Sequence, residues 1–233
     1  MKKYILVLLA LLMLGGGIAA RDIEFSVGLE FGIDEFGSAG ETMRIMPMIG
    51  VGCNFNLTNA SSIRLGADVW FETMNLITRS DVETTLIVTP NFKFTHGING
   101  IGDFYALVEL NMFVQDPFDM SLGFYLGFNF DFGIGIEVGI EDNYFGLSNN
   151  TGASFFNWLH IMPSVFFDPI HAYVEVKLPI MENGFALYGL TLVPGFGIEI
   201  PPVPGLMAYF ELPVSGIGGD VNVGMTIGVM FSF

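Results

Sequence analysis

Histidine, serine and acidic residues are where chemistry would start in this chain. Its three histidines are His96, His160 and His171. Ser154 and Ser164 share the parity of His160, the beginning of a nucleophile and base pair. No acid or amide stands near them in sequence to complete a triad. His160, His171 and Glu175 offer ligand atoms for a metal ion, but without a recognised spacing. Gly133-Ile134-Gly135 and Gly195-Phe196-Gly197 are followed by no helical pattern, so they read as strand glycines and not as phosphate loops. The single cysteine, Cys53, excludes an internal disulfide and reads as a small apolar strand residue. No catalytic residue, metal site or cofactor is assigned from these residues.

The charged residues carry a clearer message. Glu24, Glu30, Asp34, Asp68, Glu72, Glu83, Asp103, Glu109, Glu137, Glu141, Glu175, Glu199 and Glu211 all share the parity of the small and polar residues around them. Only Arg44, Arg64, Lys93 and Lys177 stand against them on that face. If the face lines a water-filled passage, such acidic rings favour cations and repel anions. If the passage is filled, arginine and lysine tie neighbouring strands together through carboxylate pairs. The second reading is favoured around Arg64 and Asp68. Inward glycines, among them Gly28, Gly50, Gly127 and Gly228, either leave space for a channel or permit strand coiling around a packed interior.

The elements that position these residues are strands. Apolar residues recur at every second position over Ile23–Ile33, Met43–Leu57, Ile63–Phe71, Val82–Phe94, Phe104–Val114, Phe155–Phe167, Ile170–Ile180, Ala186–Ile200, Leu206–Val214 and Val221–Phe233. Leu122–Ile140 alternates too, but it is too long for one crossing of about 9–11 residues. A three-residue hairpin at Asp131-Phe132-Gly133, with the glycine left-handed, divides it and keeps Phe130 and Ile134 on one face. The count is then twelve, with ten or eight left open because long strands can project past a membrane. Short turns fall at Thr58–Ser61, His96–Gly102, Asp131–Gly133, Asp168–Pro169 and Pro201–Gly205. They share one side, periplasmic if the N-terminus lies there, and the longest connection, Asp142–Ala153, lies opposite. Pro47, Pro90, Pro163 and Pro194 lie on apolar faces of alternate strands and are expected at bulges or bends. The alternative is that they break the strands as loops. Trp70 and Trp158 point inward near the far rim, where they fill or line a mouth.

Composition bounds the class. Hydrophobic residues make up 52% of the 233, yet beyond the N-terminus no run reaches the ~20 apolar residues of a membrane helix. The first twenty residues have the layout of a secretory signal peptide: Lys2 and Lys3, an apolar stretch from Tyr4 to Leu14, and small residues to Ala19-Ala20. Cleavage near Ala20 leaves a single domain, 21–233, and moves the net charge from −16 to −18. So acidic a chain argues against a nucleic-acid partner.

The pattern of apolar-out, polar-in strands about ten residues long is that of an all-β, antiparallel up-and-down transmembrane barrel. At this point the chain resembles the small outer-membrane β-barrel proteins of diderm bacteria, OmpA-type, OmpW-type or small porin-like. The last strand carries the specific part of that resemblance: Asn222, Gly224, Ile227, Val229, Phe231 and the terminal Phe233. Ile45-Met46-Pro47-Met48-Ile49-Gly50-Val51-Gly52 is similar to a downward strand of such barrels. The resemblance implies integral residence in the outer membrane, with lipid and the barrel-assembly machinery as partners, the latter reading the last strand as its signal. Its members of the first two types have eight strands, fewer than the twelve expected here.

Two functions follow as expectations. One is a small porin-like channel for polar or cationic solutes, lined by Glu30, Arg44, Arg64, Asp68, Glu72, Lys93, Glu109, Glu137, Glu175 and Lys177. The other is a non-conducting structural or surface-interaction barrel. The absence of a loop long enough for an adhesive domain tilts the reading toward the channel.

Overall fold

The computed structural model describes residues 22–34, 42–74, 83–115, 118–142, 158–181, 184–185 and 189–233. The signal segment, Ser154 and the connection that follows Asp142 lie outside the described residues, as does the Glu83 side chain.

Alternating apolar and polar residues, rich in phenylalanine, valine and isoleucine, suit a pleated strand with two different solvents on its two faces. Twelve such strands form. They are β1 (Asp22–Asp34), β2 (Thr42–Asn56), β3 (Ser61–Met74), β4 (Glu83–Ile98), β5 (Gly102–Val114) and β6 (Asp119–Phe130). β7 (Ile134–Asp142), β8 (Trp158–Phe167) and β9 (Ile170–Met181) follow. The last three are interrupted: β10 (Gly184–Phe185 and Leu190–Glu199), β11 (Leu206–Glu211 and Val214–Ile217) and β12 (Asn222–Val223 and Met225–Ser232). Each strand pairs antiparallel with the next, and β12 closes on β1 from Ser26↔Ser232 to Ile33↔Met225. Closure leaves no edge.

The distribution of side chains is inverted relative to a water-soluble protein. Ile23 is 58% exposed and Leu126 57%, while Glu30 is 9% exposed and Thr226 2%. Lipid is the solvent that suits such an exterior, and a closed barrel satisfies every backbone group within the sheet.

The hairpin expected within Leu122–Ile140 is present. Phe130 pairs directly with Ile134, the Gly133 amide donates to the Phe130 carbonyl at 3.0 Å, and Gly133 has φ +81°. A side chain there would be strained, so glycine is required. The turn expected over His96–Gly102 is shorter: β4 continues to Ile98, and His96 Nδ1 lies 2.8 Å from Ser61 Oγ across the β3–β4 pair.

The prolines correct the expectation of bulges. None inserts a bulge residue at its own position, and the register shift in β10–β11 lies between Leu190 and Leu192, short of Pro194. β2 and β3 pair at Ile45↔Thr73, lapse at Met46 and Pro47, and resume at Met48↔Trp70 with the same offset. The same gap appears beside Pro90 in β4–β5, beside Pro163 in β8–β9 and beside Pro194 in β10–β11. Toward the preceding strand each proline is matched: Leu29↔Pro47, Ala67↔Pro90, Ile136↔Pro163, Pro194↔Val174. The reason is geometric. An outward side chain on a strand of given direction fixes which neighbour its amide would face. All four prolines are outward on even-numbered strands, so all four withhold their donor from the following strand.

Candidate functional site

The lumen is organised by a row repeated three times. Tyr105 on β5 stands opposite Gly127 on β6, which stands opposite Glu137 on β7. The glycine lets the tyrosine ring lie across it, where a Cβ would collide with Tyr105. The hydroxyl then donates to Glu137 Oε2 at 2.5 Å. Tyr173, Gly195 and Glu211 repeat the row over β9–β11, again at 2.5 Å. Tyr209, Gly228 and Glu30 repeat it across the closing seam, at 2.7 Å. Tyr125 is a variant: it lies over Gly139, donates to Glu141 at 2.7 Å and meets His160 edge-on, ring centroids 5.3 Å apart.

These tyrosines run along the wall from strand to strand. The glycines are their seats, which neither sequence reading of the inward glycines had anticipated. The tyrosines share the inward parity, but only the register shows that each faces a glycine with a glutamate one strand further on.

The expected charged residues fall into clusters. His160, 4% exposed, lies with Nδ1 2.9 Å from Glu175 and Nε2 3.0 Å from Glu137, the latter contact not aligned as a hydrogen bond. Lys177 Nζ bridges Glu141 at 3.2 Å and Glu175 at 3.1 Å. Arg44 reaches Glu30 at 3.6 Å, Asp34 at 3.9 Å and Glu72 at 4.0 Å. Arg64 pairs with Glu24 at 3.3 Å, two strands away. Arg64 and Asp68 are joined through an intermediary, since Arg64 Nη1 donates to Asn91 and Asn91 Nδ2 donates to Asp68. Lys93 sits over the Tyr105 ring, 4.2 Å from its centroid. Glu109 has neither a hydrogen bond nor an ion pair among the described residues.

Among the described residues, neither the Ser164 and His160 pair nor the His160, His171 and Glu175 set comes together. Ser164 is four residues from His160 on one strand, about 13 Å away at 3.3 Å per residue, and both ring nitrogens of His160 face carboxylates. His171 is elsewhere, stacked on Phe166 at 4.2 Å. Glu141, His160 and Glu175 do bring ligand atoms within 4.8 Å of one another. The Lys177 ammonium already occupies the position between the two carboxylates, which opposes a metal cation there.

A cavity of about 250 Å³ at the short-turn end is lined by Asn56, Thr58, Ser62, Thr95 and Asp103, among others. A larger one, about 380 Å³, lies in the other half of the barrel and includes Trp70 in its wall.

No protein-family model matches the chain. No curated protein matches it either. Among solved structures it is similar to an outer membrane channel from Pseudomonas putida, with TM-score 0.60 and 7% identity over 91% of this chain and 95% of that one. It is similar to the KdgM porin at TM-score 0.53 and 10% identity, over 89% of this chain and 99% of that one. The translocator domain of autotransporter NalP from Neisseria meningitidis matches at TM-score 0.52 and 14% identity, covering 96% and 94%. At such identities the likeness is one of fold. The fold is that of outer-membrane, porin-like β-barrels.

Proposed function

We propose that this barrel is a narrow outer-membrane pore that passes small polar solutes and prefers cations. The observation that carries the reading is the charge balance of the lumen. Of the thirteen carboxylates assigned inward from the sequence, twelve have described side chains, and they face Arg44, Arg64, Lys93 and Lys177. Arg44, Arg64 and Lys177 are committed to ion pairs, and a charged His160 would offset one more carboxylate. The balance stays negative. Laying the bulky tyrosines along the wall is consistent with a passage kept open beside them.

In this reading the short turns face the periplasm and the connection after Asp142 faces out. The first twenty residues are a signal peptide removed near Ala20. The final strand, ending in Phe233, is the address read by the barrel-assembly machinery.

The test is the reversal potential of the refolded protein in a planar bilayer under a potassium chloride gradient. Cation selectivity is expected, and anion selectivity would overturn the reading. A second reading, a closed structural barrel, draws on the burial of Glu137 and His160 to 9% and 4% exposure. An absence of current would favour it.

A further inference from the structure

The 380 Å³ cavity differs in character from the rest of the lumen. Elsewhere polar residues, tyrosines and glycines make up most of the inward face, and apolar residues such as Leu107, Val193 and Met207 are scattered among them. Here the register aligns Met48, Trp70, Ile87 and Phe113 in one apolar row across β2 to β5. Trp70, Ile87 and Phe113 line the cavity. Glu30, Asp68 and Glu109 line it too, and no basic residue does. Asp68 stands beside Thr89, which donates to Asn111 at 2.7 Å.

The three carboxylates are not equivalent. Glu30 accepts from Tyr209 and lies 3.6 Å from Arg44, and Asp68 accepts from Asn91. Glu109 has no hydrogen bond or ion pair among the described residues, so its carboxyl group is the one left to meet a solute.

An inorganic cation, which keeps much of its hydration shell, makes little use of an isoleucine and the apolar surface beside it. An uncharged polar solute gains nothing from three carboxylates. A solute with a positive end and an apolar body uses both kinds of lining. Tryptophan is the aromatic side chain that attracts a cation most strongly, and the volume is that of an ordinary small-molecule pocket, ~300–1,000 Å³.

We propose that this cavity binds a small organic cation, with its ammonium against Glu109 and its apolar body against Trp70 and Phe113. As the solute class of the pore, this rests on the reading of the barrel as a cation-preferring passage. As a binding site it stands separately.

The probe is phenethylammonium chloride, titrated calorimetrically into the refolded full barrel in detergent, with 2-phenylethanol and 3-phenylpropionate as neutral and anionic counterparts. Saturable binding of the ammonium is expected, at least tenfold tighter than the alcohol, with no binding of the carboxylate. Glu109→Gln should weaken it about tenfold. Trp70→Leu should weaken it about fivefold, and Trp70→Phe should restore most of the loss. Each variant is first shown to be folded by its heat-modifiable migration in gels. Equal affinity for alcohol and ammonium, or wild-type affinity in Glu109→Gln, would overturn the proposal. Potassium current in the same preparation separates the two readings. Current without phenethylammonium binding removes the site and leaves the pore. Binding in a barrel that carries no current keeps the site and removes the pore.

Discussion

A tyrosine lying over a glycine makes that glycine as consequential as a core residue. In the row Tyr173–Gly195–Glu211 the ring occupies the space of the missing side chain, and its hydroxyl is the only hydrogen-bond donor to Glu211 identified among the described residues. Gly195→Val should push the ring off the wall and into the lumen. A cost of about 1–3 kcal/mol is expected, as for overpacking in general, read as a lower urea midpoint in lipid vesicles. Single-channel conductance should fall with it if the lumen conducts. Tyr173→Ala in the same chain should recover part of that stability, because the valine then has room. A simple sum of the two single losses would show that ring and glycine do not interact. Such rows were only half legible in the sequence. Parity placed Tyr105, Tyr173 and Tyr209 inward, but which glycine each faces depends on the offsets between strands, which a period-two pattern does not specify. The same limit explains why Arg64 and Asp68, neighbours on one strand face, are joined only through Asn91 on the next.

The strands themselves were legible because one solvent lies on each side of them. Twelve alternating runs, including the division at Asp131–Gly133, correspond to twelve strands. What the pattern misjudged was proline. A proline on an apolar face looks like a defect in sequence, yet here it removes one donor and leaves the offset intact. Pro90→Ala should therefore change little. The restored amide contributes about 0.5–1.5 kcal/mol, and the freer unfolded chain takes back about 0.4–1 kcal/mol. The urea midpoint should stay within about 1 kcal/mol of wild type, and a loss above 2 kcal/mol would mean that the ring's own packing matters more than its missing donor. The terminal strand presents a different case. Phe233 exchanges two backbone hydrogen bonds with Phe25, both 2.9 Å, and its ring stacks on Phe25 and Phe231. The last residue is thus part of the closing seam, whatever reads it during assembly. Phe233→Asp places a charge on an apolar rim and is expected to lower the amount of heat-modifiable, protease-resistant barrel in the outer membrane. Purified mutant that refolds normally in detergent would assign that loss to assembly in the cell. Failure in both settings would assign it to the seam.

At the scale of the whole molecule the governing quantity is the fixed charge of the lumen. The apolar outer face contributes no field, so the sign of the passage is set by carboxylates on the inner face of the sheet. Glu30, Glu72, Glu137, Glu141 and Glu175 each have a cationic group or His160 within 4.0 Å. Asp68, Glu109, Glu199 and Glu211 have no such partner among the described residues. Fixed charges act most strongly where low-dielectric walls limit screening, and a barrel in lipid has such walls. Mobile salt enters the passage nonetheless, and the screening length shortens from ~10 Å at 0.1 M to ~3 Å at 1 M. If the field of the unpaired carboxylates selects the ions, the potassium preference should be large at 0.1 M and shrink toward unity at 1 M. Glu109→Gln should reduce the preference at 0.1 M and leave it nearly unchanged at 1 M, because the removed charge is already screened there. The measurement is the permeability ratio from reversal potentials at both salt levels, for wild type and variant. A preference that does not change with salt would assign selectivity to a narrow constriction, and would remove the long-range field of the lumen as its cause.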